Sequence, residues 1–128
     1  MITVAFKKGV QVQKWTYSLD WIMHCLLMIS ESYKGSDWLP VELVVTSIND
    51  GNHSKNPLSR HYTNEAIDIR VHNFATKDDV KKFIEVLDVY INQHSDAARK
   101  NAFTILHEYE DLPDEHIHVQ PRIGTTYP

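Results

Sequence analysis

Between Ser18 and Tyr33 the apolar residues Leu19, Ile22, Met23, Leu26, Leu27 and Ile29 fall mostly on one face of a 3.6-residue repeat. This predicts a core helix with Ser18 as its N-cap and Asp20 in its first turn, ending near Gly35. A second helix follows from Thr76-Lys-Asp-Asp79, a capping-box variant, and from Val80, Phe83, Ile84, Leu87, Tyr90 and Ile91, spaced 3, 1, 3, 3 and 1. Elsewhere the period is two. Glu42–Ile48 is a β-branched run of strand length, and Ala66–Val71 alternates so that Asp68 and Arg70 share the face opposite Ile67, Ile69 and Val71. Ala102–His107 and His116–Gln120 read as two further strands around an acidic turn containing Pro113. The expected fold class is α+β: a small, mostly antiparallel sheet with two main helices packed on one face.

At 128 residues, with 42% hydrophobic and 23% charged positions, the chain has the size of one globular domain spanning 1–128. No repeat, low-complexity tract or linker divides it. A chain of this length buries roughly two thirds of the surface that it exposes when unfolded, so no metal is needed merely to hold it together. Thirteen Lys and Arg against seventeen Asp and Glu give a net charge of -4. No basic cluster exceeds Lys7-Lys8 or Lys81-Lys82, which argues against nucleic acid as a partner. No secretory signal opens the sequence, and the apolar run Trp21–Ile29, broken by His24, is too short to cross a bilayer. The expectation is a chain made in the cytoplasm without a membrane span.

One cysteine, Cys25, excludes an internal disulfide, whereas eight histidines leave metal or proton chemistry open. Two segments concentrate that chemistry: Ser59-Arg-His-Tyr-Thr-Asn-Glu-Ala-Ile-Asp68 and Asp114-Glu-His-Ile-His118. On a strand, His116 and His118 leave the same face while Ile117 enters the core. If the two strands are neighbours, His61, Asp68 and one of the paired histidines converge. Three N/O ligands with no thiolate leave a fourth position for water, the plan of a catalytic zinc site at the sheet. His24, His72, His94 and His107 have no spacing partner, His53 lies in the loop before Ser59, and Glu108-Tyr-Glu-Asp111 reads as a solvated turn.

The block "TSINDGNHSKNPLSRHYTNEAIDIR", followed about fifty residues later by "DEHIHV", resembles the zinc D-alanyl-D-alanine carboxypeptidase family, the fifteenth family of metallopeptidases. Its pattern is Ser-x-His-x-x-Gly-x-Ala-x-Asp, then an acidic residue and a histidine near the C-terminus. The family includes the L-alanyl-D-glutamate endolysins of phages, and the signalling domain of hedgehog proteins shares the fold. The resemblance spans roughly Leu43 to Val119. It implies His61, Asp68 and His118 as zinc ligands, Ser59 as the serine before the first ligand, Glu115 as the carboxylate that takes a proton from the attacking water, and His116 as an oxyanion donor.

Two departures stand out. Asn64 replaces the family glycine, a mild change because asparagine tolerates a left-handed backbone. Ser47-Ile-Asn-Asp50 stands where many enzymatic members carry a substrate-gripping arginine, and Arg60, Lys55 or Arg70 are the candidates to replace it. The resemblance therefore implies a zinc-dependent hydrolase of peptidoglycan stem peptides, of carboxypeptidase or endolysin type. In a phage setting it would act on the cell wall or within a virion. The alternative is a zinc-bearing binding or structural module of the same fold without catalysis, and a third is a histidine-rich domain with no metal.

Overall fold

The computed structural model describes residues 3–12, 14–48, 65–93 and 102–122. In order they form β1 (Thr3–Phe6), α1 (Tyr17–Ser32), β2 (Glu42–Ser47), β3 (Ile67–Arg70), α2 (Lys77–Asn92), β4 (Phe103–Glu108) and β5 (His116–Pro121). The strands make one five-stranded sheet in the order β1-β2-β3-β5-β4. Its β1–β2 pair is parallel and the other three pairs are antiparallel. The expected α+β class holds.

The parallel pair accounts for the place of α1, because two parallel strands must be joined by a crossover and a helix supplies it. Strand β1 was not expected from the sequence. It is four residues long and lies at the sheet edge, with Val4 packed on the core and Phe6 exposed, too short a pattern to register as alternation.

Helix α1 starts two residues earlier than its apolar pattern suggests. Thr16, in extended backbone, accepts the Leu19 N–H at 3.1 Å and is the N-cap, whereas Ser18, expected in that role, is buried in the first turn. The cap of α2 is as expected, with the Thr76 hydroxyl accepting the Asp79 N–H at 3.1 Å. Leu19, Ile22, Cys25, Leu26 and Ile29 of α1 and Val80, Phe83, Leu87 and Ile91 of α2 close over Leu43, Val45, Ile67, Ile69, Ile117 and Val119 of the sheet. Two buried polar contacts fix the layers. The Trp21 indole donates to the Ile91 carbonyl at 3.1 Å, tying α1 to the end of α2. The Asn92 amide both accepts from the Phe103 N–H at 2.9 Å and donates to the Phe103 carbonyl at 3.2 Å, so α2 delivers the chain to β4 in a fixed register.

Between β2 and β3 the register shifts: Val45 pairs with Ile69 but Ser47 pairs with Asp68, two steps on one strand against one on the other. This bulge lets Val45 remain on the core side while Ser47 stands beside Asp68. No helix among the described residues is long and apolar enough to cross a membrane.

Candidate metal centre

Pairing across β3, β5 and β4 places one polar cluster on the sheet face opposite the helices. Asp68 stands directly across from His118, and Arg70 from His116. On the other side of β5, Leu106 faces His118 and Glu108 faces His116. Because cross-strand partners share a face, Asp68, Arg70, Glu108, His116, His118 and Gln120 lie together, while Ile67, Ile69, Ile117 and Val119 project into the core. The expectation that both imidazoles leave one face while Ile117 enters the core holds.

His118 is the centre of this cluster. Its Nδ1 lies 2.9 Å from Asp68 Oδ1 and 3.9 Å from Glu108 Oε1, and its Nε2 lies 2.8 Å from Gln120 Oε1. Burial disfavours the imidazolium. The Asp68 and Gln120 hydrogen bonds and the Asp68 and Glu108 charges outweigh it, so the His118 pKa is raised above its ordinary 6.5. His116 Nε2 reaches Glu108 Oε1 at 2.9 Å and approaches Asp68 Oδ1 at 3.6 Å, while its Nδ1 is held by the Asp114 carbonyl at 2.7 Å. The Tyr109 ring packs against that imidazole with centroids 5.7 Å apart. Tyr109 has a left-handed backbone, φ 55°, an uncommon conformation for a bulky residue at the start of the β4–β5 turn.

Asp68, Glu108 and His118 each offer one ligand atom, all within 4.8 Å of one another, and together could hold a metal ion. Ligand atoms 2.0–2.1 Å from a tetrahedral zinc stand about 3.3 Å apart. The 2.9 Å and 3.9 Å separations from His118 Nδ1 bracket that figure, so a small adjustment of side chains accommodates an ion. Two carboxylates and an imidazole, without thiolate, form an N/O donor set suited to zinc and to other borderline divalent cations.

Of the residues singled out in the sequence, Asp68, His116 and His118 meet here. His61, Ser59, Arg60, Lys55 and His53 lie outside the described residues, as does His94. Glu115 sits one residue out of phase with the two site histidines. Its Oε2 is 2.6 Å from His107 Nε2 and its Oε1 accepts the Asp111 N–H at 3.3 Å. It borders a cleft with Val71, Phe74 and Val80, on the helix side of the sheet. His107, which had no partner by spacing, is thus partnered by Glu115. His72 also has a contact, to the Pro113 carbonyl at 3.1 Å, and His24 is exposed on α1 beside Trp21.

Glu108 is the site residue that the sequence reading missed. Its sequence context, Glu108-Tyr-Glu-Asp111, reads as a solvated turn, but β4 runs one residue further than its apolar pattern and carries Glu108 into register with His116. The usable signal was its position two residues beyond Leu106, on the same face of the strand. Comparisons with protein-family models, curated proteins and solved structures returned no match.

Proposed function

We propose that this protein is a zinc-dependent peptidase acting on peptidoglycan stem peptides, with the metal held by His61, Asp68 and His118. The observation that carries the reading is the meeting of Asp68 and His118, 50 residues apart in sequence, as buried cross-strand partners at 2.9 Å. Two residues named for a shared ligand set by their sequence motifs are in hydrogen-bond contact, with Glu108 and His116 beside them.

A zinc ion in such a set supplies Lewis acidity, polarising the scissile carbonyl and lowering the pKa of a water to about 7. The protein's own part is positional. Gln120 holds His118 Nε2 at 2.8 Å and so leaves Nδ1 directed at Asp68, and the buried Ile117 and Val119 anchor the strand behind it. His116, held at Nδ1 by the Asp114 carbonyl, directs its Nε2 to Glu108 Oε1 at 2.9 Å on the same face. That the peptide belongs to peptidoglycan, cut at either a D-alanyl-D-alanine or an L-alanyl-D-glutamyl bond, rests on the family resemblance.

Zinc content measured alongside mass spectrometry of digested peptidoglycan tests the site and the bond together. One zinc per chain with new stem-peptide termini or freed D-alanine is the expected result. Stoichiometric zinc with no cleavage would replace the peptidase by a zinc-bearing binding module, and absence of bound zinc would remove both.

A further inference from the structure

Two carboxylates compete for the proton-handling role in such a hydrolysis, and they occupy different sides of the sheet. Glu115 is the one that matches the motif by spacing. Both of its oxygens are engaged, with His107 and the Asp111 N–H, and its side chain is 11% exposed. It adjoins Val71, Phe74 and Val80, behind the strand that carries His118. A carboxylate there must break a 2.6 Å contact and pass the strand before it meets anything bound at His118.

Glu108 stands on the same face as His118. Its Oε1 lies 2.9 Å from His116 Nε2 and 3.9 Å from His118 Nδ1, and its side chain is 37% exposed, against 12% for Asp68 and 9% for His118. It therefore borders the buried Asp68–His118 pair and is the more solvent-exposed of the two carboxylates beside His118. Its strand position is fixed by pairing with His116, and the hydrogen bond from that imidazole aims the carboxylate along the site face. A residue in reach of both solvent and the ligand cluster suits proton transfer, where a general base must come within hydrogen-bond distance of the attacking water.

Resting on the peptidase reading above, we infer that Glu108, aimed by His116, is the catalytic carboxylate of this site. In the step it performs, one proton of the attacking water passes to a Glu108 oxygen as the water oxygen bonds to the carbonyl carbon. The carbon–nitrogen bond then breaks, and the same proton passes from Glu108 to the departing amine. A carboxylic acid, which keeps the water's other proton until it ionises to solvent, and the free amine leave, and Glu108 returns to its starting state. His116 is a positioning residue for Glu108.

The test uses the full chain loaded with zinc and a synthetic stem peptide. Glu108→Gln keeps the size and shape of the side chain, so it should retain one zinc per chain and a near-unchanged KM while kcat falls by about 100-fold or more. Glu115→Gln should cost at least tenfold less in kcat than Glu108→Gln. His116→Gln, whose amide still donates to Glu108, should keep more kcat than His116→Ala at equal zinc content. Loss of zinc from Glu108→Gln would make Glu108 a ligand and overturn the inference, as would a larger kcat loss in Glu115→Gln at full zinc occupancy. An inactive wild-type protein with zinc bound would instead strike the peptidase reading itself, and the inference with it.

Discussion

Asp68 and His118 face each other across β3 and β5 with Oδ1 and Nδ1 2.9 Å apart, so a carboxylate and an imidazole share one hydrogen bond where a divalent ion would share both. An ion entering here replaces the proton between them and draws on a donor geometry already assembled. Ligands that bind only the folded state stabilise it by mass action, about 2.7 kcal/mol at 100 times the dissociation constant. For a domain of this size that corresponds to a rise in Tm of roughly 10 °C. Zinc should raise the Tm of the wild-type protein, chelator should reverse it, and Asp68→Ala should abolish the shift. An equal zinc shift in Asp68→Ala would contradict the site.

In the chelated protein the same pair makes stability depend on pH. The His118 pKa is raised in the folded state above 6.5, its ordinary value, because the Asp68 and Gln120 bonds outweigh burial. A group whose folded pKa is raised contributes stability that is complete below the unfolded pKa and fades as pH rises through the folded one. Urea titrations from pH 6 upward should therefore show a loss of stability across and above pH 6.5 that is absent in His118→Ala. A slope of opposite sign assignable to His118 would refute the arrangement.

Asn92 is buried and holds both backbone groups of Phe103. Replacing it with alanine removes a buried hydrogen bond from each of the Phe103 N–H and carbonyl, the carbonyl keeping Arg122 Nε at 3.5 Å, and a lost hydrogen bond costs about 0.5–1.5 kcal/mol. Asn92→Ala should lower the unfolding free energy by at least that much in denaturant titration, and Asn92→Asp, which sets a carboxylate oxygen where the amide donates to Asp88 Oδ1 at 2.7 Å and to the Phe103 carbonyl at 3.2 Å, should lower it further.

Burial pushes the Cys25 thiol up to about 12, and its Sγ lies 3.6 Å from the Tyr90 carbonyl in the α1–α2 interface. At pH 8 only about one thiol in ten thousand is then thiolate, the reactive form. A disulfide reagent should label the native protein slowly and the urea-unfolded protein at once. Rapid labelling of the native state would place Cys25 outside the core.

Much of this architecture is visible in residue patterns. The Ile67–Arg70 alternation, the Val80–Phe83–Leu87–Ile91 stripe and the His116-Ile-His118 triplet all carry their local geometry in their spacing, and the structure follows them. What spacing does not carry is partnership at long range. Strand β1 exists because β2 lies beside it, and the β2–β3 bulge that sets Ser47 next to Asp68 depends on how two distant strands register. Glu108 joins the site for a similar reason. The β4–β5 turn uses left-handed backbones at Tyr109 and Asp111, without a glycine to announce where the strand ends. The N-cap of α1 shows the same limit locally: Thr16 and Ser18 are both hydroxyl residues, and only backbone direction distinguishes the cap from a buried first-turn residue.

Strand β5 alternates His116, His118 and Gln120 with Ile117 and Val119, so consecutive residues serve the polar cluster and the core by turns. Six residues thus carry two kinds of selection that cannot be varied separately. Trimming Val119 to alanine touches no donor atom, yet it loosens the backbone on which His118 is mounted. If an ion binds there, its affinity across a set of core variants would gauge packing, and a weakened core would show first as a poorer grip on metal rather than as unfolding.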